Sequence, residues 1–93
     1  MSMNLYIYGK REIMVVKTGK YEFQTKKVED ILPTSTTGTN KILKSSNPMQ
    51  SYYDFIKEFA YGDDYNIKKH ISNVKNNIKE MENNGYKIYF DEF

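Results

Sequence analysis

Residues 4–26 read NLYIYGKREIMVVKTGKYEFQTK, and this stretch decides the fold class. Short runs rich in β-branched and aromatic residues occupy 4–8 and 12–17, and Gly9-Lys10-Arg11 between them is typical of a hairpin loop. A second glycine-containing turn leads into residues 21–26, where apolar and polar side chains alternate as in a half-buried strand. The sequence therefore predicts a three-stranded antiparallel meander.

The second half of the chain predicts two amphipathic helices. Asn47 is suited to cap the first of them, Pro48 suits its first turn, and Gly62 is suited to end it. Asp63 and Asp64 begin the second helix, because the helix dipole favours negative charge at its N-terminus. Gly85 is suited to end this helix. This helix carries an apolar seam with spacings of four and three: Ile67, Ile71, Val74, Ile78 and Met81.

The remaining segments complete the predicted architecture. Residues 26–32 predict a short helical turn, and residues 33–47 predict a long polar loop pinned to the core by Ile42-Leu43. Alternation over 86–91 predicts a last strand. We expect one small α+β domain over residues 1–93, with residues 1–3 a cloning remnant or alternative start. Its antiparallel sheet is a three-stranded N-terminal meander plus a C-terminal strand, with two helices packed on one face.

Composition excludes several classes of site. The chain has no cysteine, which excludes disulfides, thiolate zinc sites and cysteine nucleophiles. It has one histidine, which excludes histidine-rich metal sites. No apolar run approaches the ~20 residues that cross a bilayer. The N-terminus also lacks a secretory signal, so we expect a cytoplasmic protein. The net charge is only +2, from thirteen lysines and the single arginine against twelve acids.

No motif predicts catalysis. His70 lies at the edge of the apolar seam without a visible acid–base partner. The acidic stretch from Asp54 to Asp64 lacks the spacing of an EF-hand. Residues 34–41, TSTTGTNK, lack the second glycine and the final Ser or Thr of a P-loop. We therefore expect a protein that is not an enzyme and has no metal and no cofactor.

Two surfaces are candidates for binding. Because the first two predicted strands are apolar on both faces, helices on one face leave tyrosine and methionine on the other unless the long loop covers it. The predicted partner-binding residues there are Tyr6, Tyr8, Met14 and Val16. The alternative is a lysine-rich surface for nucleic acid, which is also typical of an ordinary solvated face. Its residues are Lys68, Lys69, Lys75 and Lys79 on the second helix, together with Lys41 and Lys44.

The codon bias implied by the composition indicates a source. Phe, Tyr, Met, Ile, Asn and Lys, whose codons are AT-rich, make up 50 of the 93 residues. In size and composition the chain is similar to the small accessory proteins of phages and mobile elements of low-GC bacteria, which include anti-CRISPR proteins. That resemblance implies a binding or inhibitor protein that occupies a surface of a host protein or nucleoprotein complex. The sequence leaves the oligomeric state open.

Overall fold

The chain folds into a three-stranded antiparallel sheet and three helices. The computed structural model describes residues 4–59 and 63–92. Its elements are, in chain order, β1 (Leu5–Val15), β2 (Lys20–Lys27), α1 (Thr36–Leu43), α2 (Pro48–Phe59), α3 (Asp64–Asn83) and β3 (Lys87–Glu92). The predicted α+β class is confirmed. Within the described ranges the sheet has three strands, whereas four were predicted.

The predicted hairpin loop at Gly9-Lys10-Arg11 is wrong, because these residues lie in the middle of β1. What the sequence divides into two strands is one strand of eleven residues at the centre of the sheet, with the order β2-β1-β3. The predicted turn around Gly19 is confirmed. Gly19 has φ of +65°, a conformation that glycine adopts without steric cost, and its N–H donates to the Val15 carbonyl at 2.8 Å.

The capping signals of α2 and α3 are confirmed. The Asn47 side chain accepts from the Gln50 N–H at 3.2 Å, and the Asp63 side chain accepts from the Asn66 N–H at 2.8 Å. Gly85, with φ of +88°, follows the end of α3. The predicted end of α2 at Gly62 lies outside the described residues.

The segment predicted as a polar loop, 33–47, contains a helix, so that prediction is wrong. Ser35 caps α1 by accepting the Gly38 N–H at 3.0 Å, and α1 places Ile42 in the core as the sequence predicts. The helical turn predicted over 26–32 is absent. Lys26 and Lys27 instead belong to β2, and a turn follows at 29–30.

The core lies on the side of the sheet that Leu5 and Ile7 of β1 face. All three helices contribute to it, rather than the two that were predicted to cover this face. Full burial of an aliphatic side chain contributes about 1.5–3 kcal/mol, so this cluster supplies the main driving force for folding. Its other members are Val28, Ile42, Tyr52, Tyr53, Ile56, Ile71, Val74, Ile78 and Met81. The seam predicted for α3 is thus confirmed, with Ile67 half-buried beside it.

Part of the sheet extends beyond the helices as a two-stranded ribbon. β3 pairs only with Leu5–Lys10, whereas β2 pairs with Tyr8–Val15. Residues 11–24, hereafter the arm, therefore have no third strand beside them. The radius of gyration is 15.1 Å, against about 12 Å for a compact domain of this length. The projecting arm accounts for this elongated shape.

Arg11 anchors the base of the arm to the end of α3. Its Nη1 donates to the Asn84 carbonyl at 2.7 Å, and its Nε donates to Gln24 Oε1 at 2.9 Å. The guanidinium also lies 4.5 Å from the centroid of the Tyr86 ring, within the range of a cation–π contact. These contacts fix the direction in which the arm leaves the sheet.

Candidate partner-binding surface

The face of the sheet opposite the core is lined with aromatic side chains. Residues directly opposite each other in antiparallel strands point to the same face. The register pairs Tyr8 with Tyr89, Glu12 with Phe23 and Met14 with Tyr21. Together with the alternation along β1, this pairing assembles one surface, hereafter the aromatic face: Tyr6, Tyr8, Met14, Tyr21, Phe23 and Tyr89.

Neighbouring rings hold one another in place on this face. Tyr6 and Tyr8 are stacked with ring centroids 5.0 Å apart, and Tyr8 is stacked on Tyr89 at 5.6 Å. Further along, the Lys10 ammonium lies 4.2 Å above the Phe23 ring. Tyr21 and Phe23 are 65% and 63% exposed. The face is thus an ordered apolar surface open to solvent at its arm end.

The structure brings three of the four predicted partner-binding residues together. Tyr6, Tyr8 and Met14 share the aromatic face, the first two half-buried and Met14 exposed. Val16 does not join them in the sheet, because β1 ends at Val15 and Val16 lies in the turn, 93% exposed. The segment 33–47 does not cover this face, since its Ile42 packs into the core on the opposite side.

Sequence reasoning missed Tyr21, Phe23 and Tyr89. The alternation in β2 predicts a half-buried strand, but every residue of β2 is exposed. The prediction is wrong because alternation shows that a strand has two kinds of face, not that a core lies under either of them. Lysines also lie on the aromatic face. Lys27 is opposite Tyr8 in the sheet, and Lys87 is opposite Lys10.

The lysines of the alternative surface share their helix with acidic residues. Lys68, Lys69, Lys75 and Lys79 are exposed along α3, where three acidic residues reduce the net charge of the helix to +1. Lys75 lies 5.0 Å from the Tyr53 ring. Lys41 and Lys44 are exposed at α1, and Lys41 lines a different feature, a groove between α1 and α2.

That groove, of about 940 Å³, is the second feature that sequence reasoning missed. Leu32, Ile42 and Phe55 line its apolar part, and Asp54 and Glu58 of the acidic stretch stand among its polar lining. Phe59 also lines it, next to residues 60–62, which lie outside the described ranges. In the part of the chain that the structure describes, no three His, Asp or Glu side chains converge as metal ligands.

The single histidine is held by a buried tyrosine. Tyr52 Oη lies 3.1 Å from His70 Nε2 and also accepts the Leu32 N–H at 2.9 Å. Burial raises the pKa of Tyr52 to about 12, against the opposing effect of the Leu32 hydrogen bond, so the phenol keeps its proton. It can therefore donate that proton to the unprotonated Nε2 of a neutral imidazole.

This pair predicts a stability that decreases in mild acid. Burial lowers the pKa of His70 below 6.5, although the charge of Asp30 opposes the shift. The unfolded chain therefore binds the proton more readily, so the free energy of unfolding should fall as the pH drops below 6.5. Urea unfolding between about pH 8 and about pH 5.5 measures this, above the range where most carboxylates titrate. His70→Gln should flatten the profile, and an equally steep profile in that variant would contradict the assignment.

Comparison of the chain with protein-family models, with curated proteins and with solved structures returns no match. The geometry of the chain itself therefore carries the functional argument. Across residues 4–59 and 63–92, no helix has the length and apolar content needed to cross a membrane.

Proposed function

We propose that this chain is a non-enzymatic binding protein that covers a surface of a protein or nucleoprotein partner with its aromatic face. The observation that carries the proposal is the placement of four exposed apolar side chains on one sheet face: Met14, Tyr21, Phe23 and Tyr89. Contiguous exposed apolar surface marks interaction sites in many proteins, and tyrosine and methionine are enriched in interfaces.

The order of this surface supports the proposal. Binding costs conformational entropy for every side chain that must be fixed. The stacking of Tyr6, Tyr8 and Tyr89 fixes these rings before a partner arrives. The cation–π contact of Lys10 does the same for Phe23.

The biological setting is also a proposal, and composition supports it. The AT-rich codon set of the chain suits a phage or mobile element of a low-GC bacterium, with the protein acting in the cytoplasm. Inhibition of a host defence complex, as by anti-CRISPR proteins, fits a small binding protein of this kind. The net charge of +2 argues against mimicry of DNA charge.

Affinity capture with a matched pair of variants tests the proposed surface. We expect Tyr21→Ser/Phe23→Ser to reduce recovery of the partner from low-GC bacterial lysate at least about tenfold, because interface aromatics carry much of the binding energy. The control is Phe59→Ser/Tyr65→Ser, which removes one Phe and one Tyr with 58% and 71% exposure from helices. Circular dichroism checks that both variants fold.

The control decides between surfaces. Retained capture by the helix variant, with loss in the sheet variant, supports the aromatic face. The reverse result would place binding at the α1–α2 groove, which Phe59 lines, and would overturn the proposal. Equal capture by all three proteins would do so as well.

A further inference from the structure

The basic charge of the chain is concentrated in the arm and its base. Residues 10–27 contain six Lys or Arg and two Glu, a net charge of +4. The rest of the chain contains eight basic and ten acidic residues, a net charge of −2. Although the total charge is small, residues 10–27 are positive and the rest of the chain is negative. This distribution favours an anionic partner at the arm.

Some of this charge is interleaved with the rings. Lys10 and Lys27 of this segment lie on the aromatic face, and Lys87 of β3 joins them there. The acidic residues on this face of the sheet are Glu12 and Asp91. Tyr8 lies between Lys27 and Tyr89 in one row across the three strands, and Lys10 lies between Thr25 and Lys87 in another row. Neighbouring strands are about 4.8 Å apart, so rings and ammonium groups alternate over short distances.

On this basis we propose that the aromatic face binds single-stranded nucleic acid, an inference that rests on the proposed function. Unpaired bases can stack on exposed aromatic rings while lysines contact the phosphates, and such binding tolerates many sequences. The bases of a duplex are already stacked on one another and cannot use the rings in this way. Phe23 and Tyr21 provide the most exposed rings of the face.

No arginine lies on this surface. Arginine is the commonest reader of base edges. The single arginine, Arg11, lies on the opposite side of β1 from the rings, and its guanidinium is bound to Gln24 and Asn84. Binding is therefore expected to depend on stacking and on phosphate contacts.

Fluorescence anisotropy with the full chain tests the inference directly. The probes are labelled oligo(dT) and oligo(rU) of about 20 nucleotides, and a mixed-sequence duplex of similar length, at about 50 and about 200 mM salt. We expect both single strands to bind more tightly than the duplex and to weaken with salt. Tyr21→Ser/Phe23→Ser should weaken single-strand binding at least about tenfold.

Two charge-reversal variants of β2 and its neighbours separate the faces of the sheet. Lys10→Glu/Lys27→Glu changes the aromatic face, whereas Lys20→Glu/Lys26→Glu makes the same change of charge on the opposite face. We expect a loss of about tenfold or more for the first variant and less than about threefold for the second. Lys68→Glu/Lys79→Glu tests the lysines of α3 with the same change of charge and should behave like the second.

Each other outcome overturns the inference in a recognisable way. Equal losses in the two sheet variants, or equal binding of the duplex, would mean non-specific attraction to charge. Loss confined to the α3 variant would assign nucleic-acid binding to the helix. If no oligonucleotide binds while Tyr21→Ser/Phe23→Ser still abolishes nuclease-resistant capture, the occupant is a protein and the proposed function stands. If that variant changes neither assay, both proposals fail.

Discussion

Tyr52→Ala is expected to lower the free energy of unfolding by about 3–5 kcal/mol, the range for truncation of a large buried aromatic side chain. Domains of this size have a total stability of only about 5–14 kcal/mol, so the substitution should remove roughly a quarter or more of it. Urea denaturation followed by circular dichroism measures the change.

The Tyr52 side chain contributes to the free energy of unfolding in two ways. Its ring is fully buried in the hydrophobic core, so truncation to alanine leaves a cavity there. Its hydroxyl also joins two segments, since it accepts the Leu32 N–H and contacts His70 of α3. Alanine removes both contributions together.

Tyr52→Phe separates them. The ring remains, but the part-buried Leu32 N–H loses its acceptor, which should cost about 1–3 kcal/mol. The matched control is Tyr65→Ala, because Tyr65 is 71% exposed and its loss should change stability by less than about 0.5 kcal/mol. A Tyr52→Ala variant as stable as this control would contradict the placement of Tyr52 in the core.

The features that sequence predicts correctly are those set by local interactions. Asn47 and Asp63 cap helices through hydrogen bonds to residues three positions away, and the seam of α3 repeats within one element. These signals need no knowledge of the rest of the chain. The start of α2 and both ends of α3 therefore follow closely from the sequence.

The features that sequence mispredicts depend on distant parts of the chain. Thr36–Leu43 contains only two apolar residues, and α1 forms because the core accepts Ile42 and because Ser35 caps it. Phe23 is exposed because the helices pack on the opposite face of the sheet. Tyr89 joins the candidate site only through the register between β1 and β3. The local sequence around each of these residues therefore does not predict the helix α1, the exposure of Phe23 or the position of Tyr89.

Gly9→Val is expected to destabilise the protein by about 3 kcal/mol, the upper end of the usual cost of overpacking a core. The sequence suggests that Gly9 is needed for a turn, but it lies inside β1 and is buried. A Cβ atom there would lie 3.0 Å from the Tyr86 Cβ and 2.5 Å from the Met81 Cε. The methionine tip can move aside, whereas the Tyr86 Cβ is fixed to the backbone that leads into β3.

The control for this variant is Gly19→Asn. Gly19 has positive φ and open space around it, and asparagine tolerates that conformation, so the change should cost less than about 1 kcal/mol. Urea denaturation of both variants makes the comparison. If Gly9→Val were as stable as Gly19→Asn, Tyr86 would not pack against the middle of β1. In that case the cation–π contact between Arg11 and Tyr86, which helps to set the direction of the arm, would not form either.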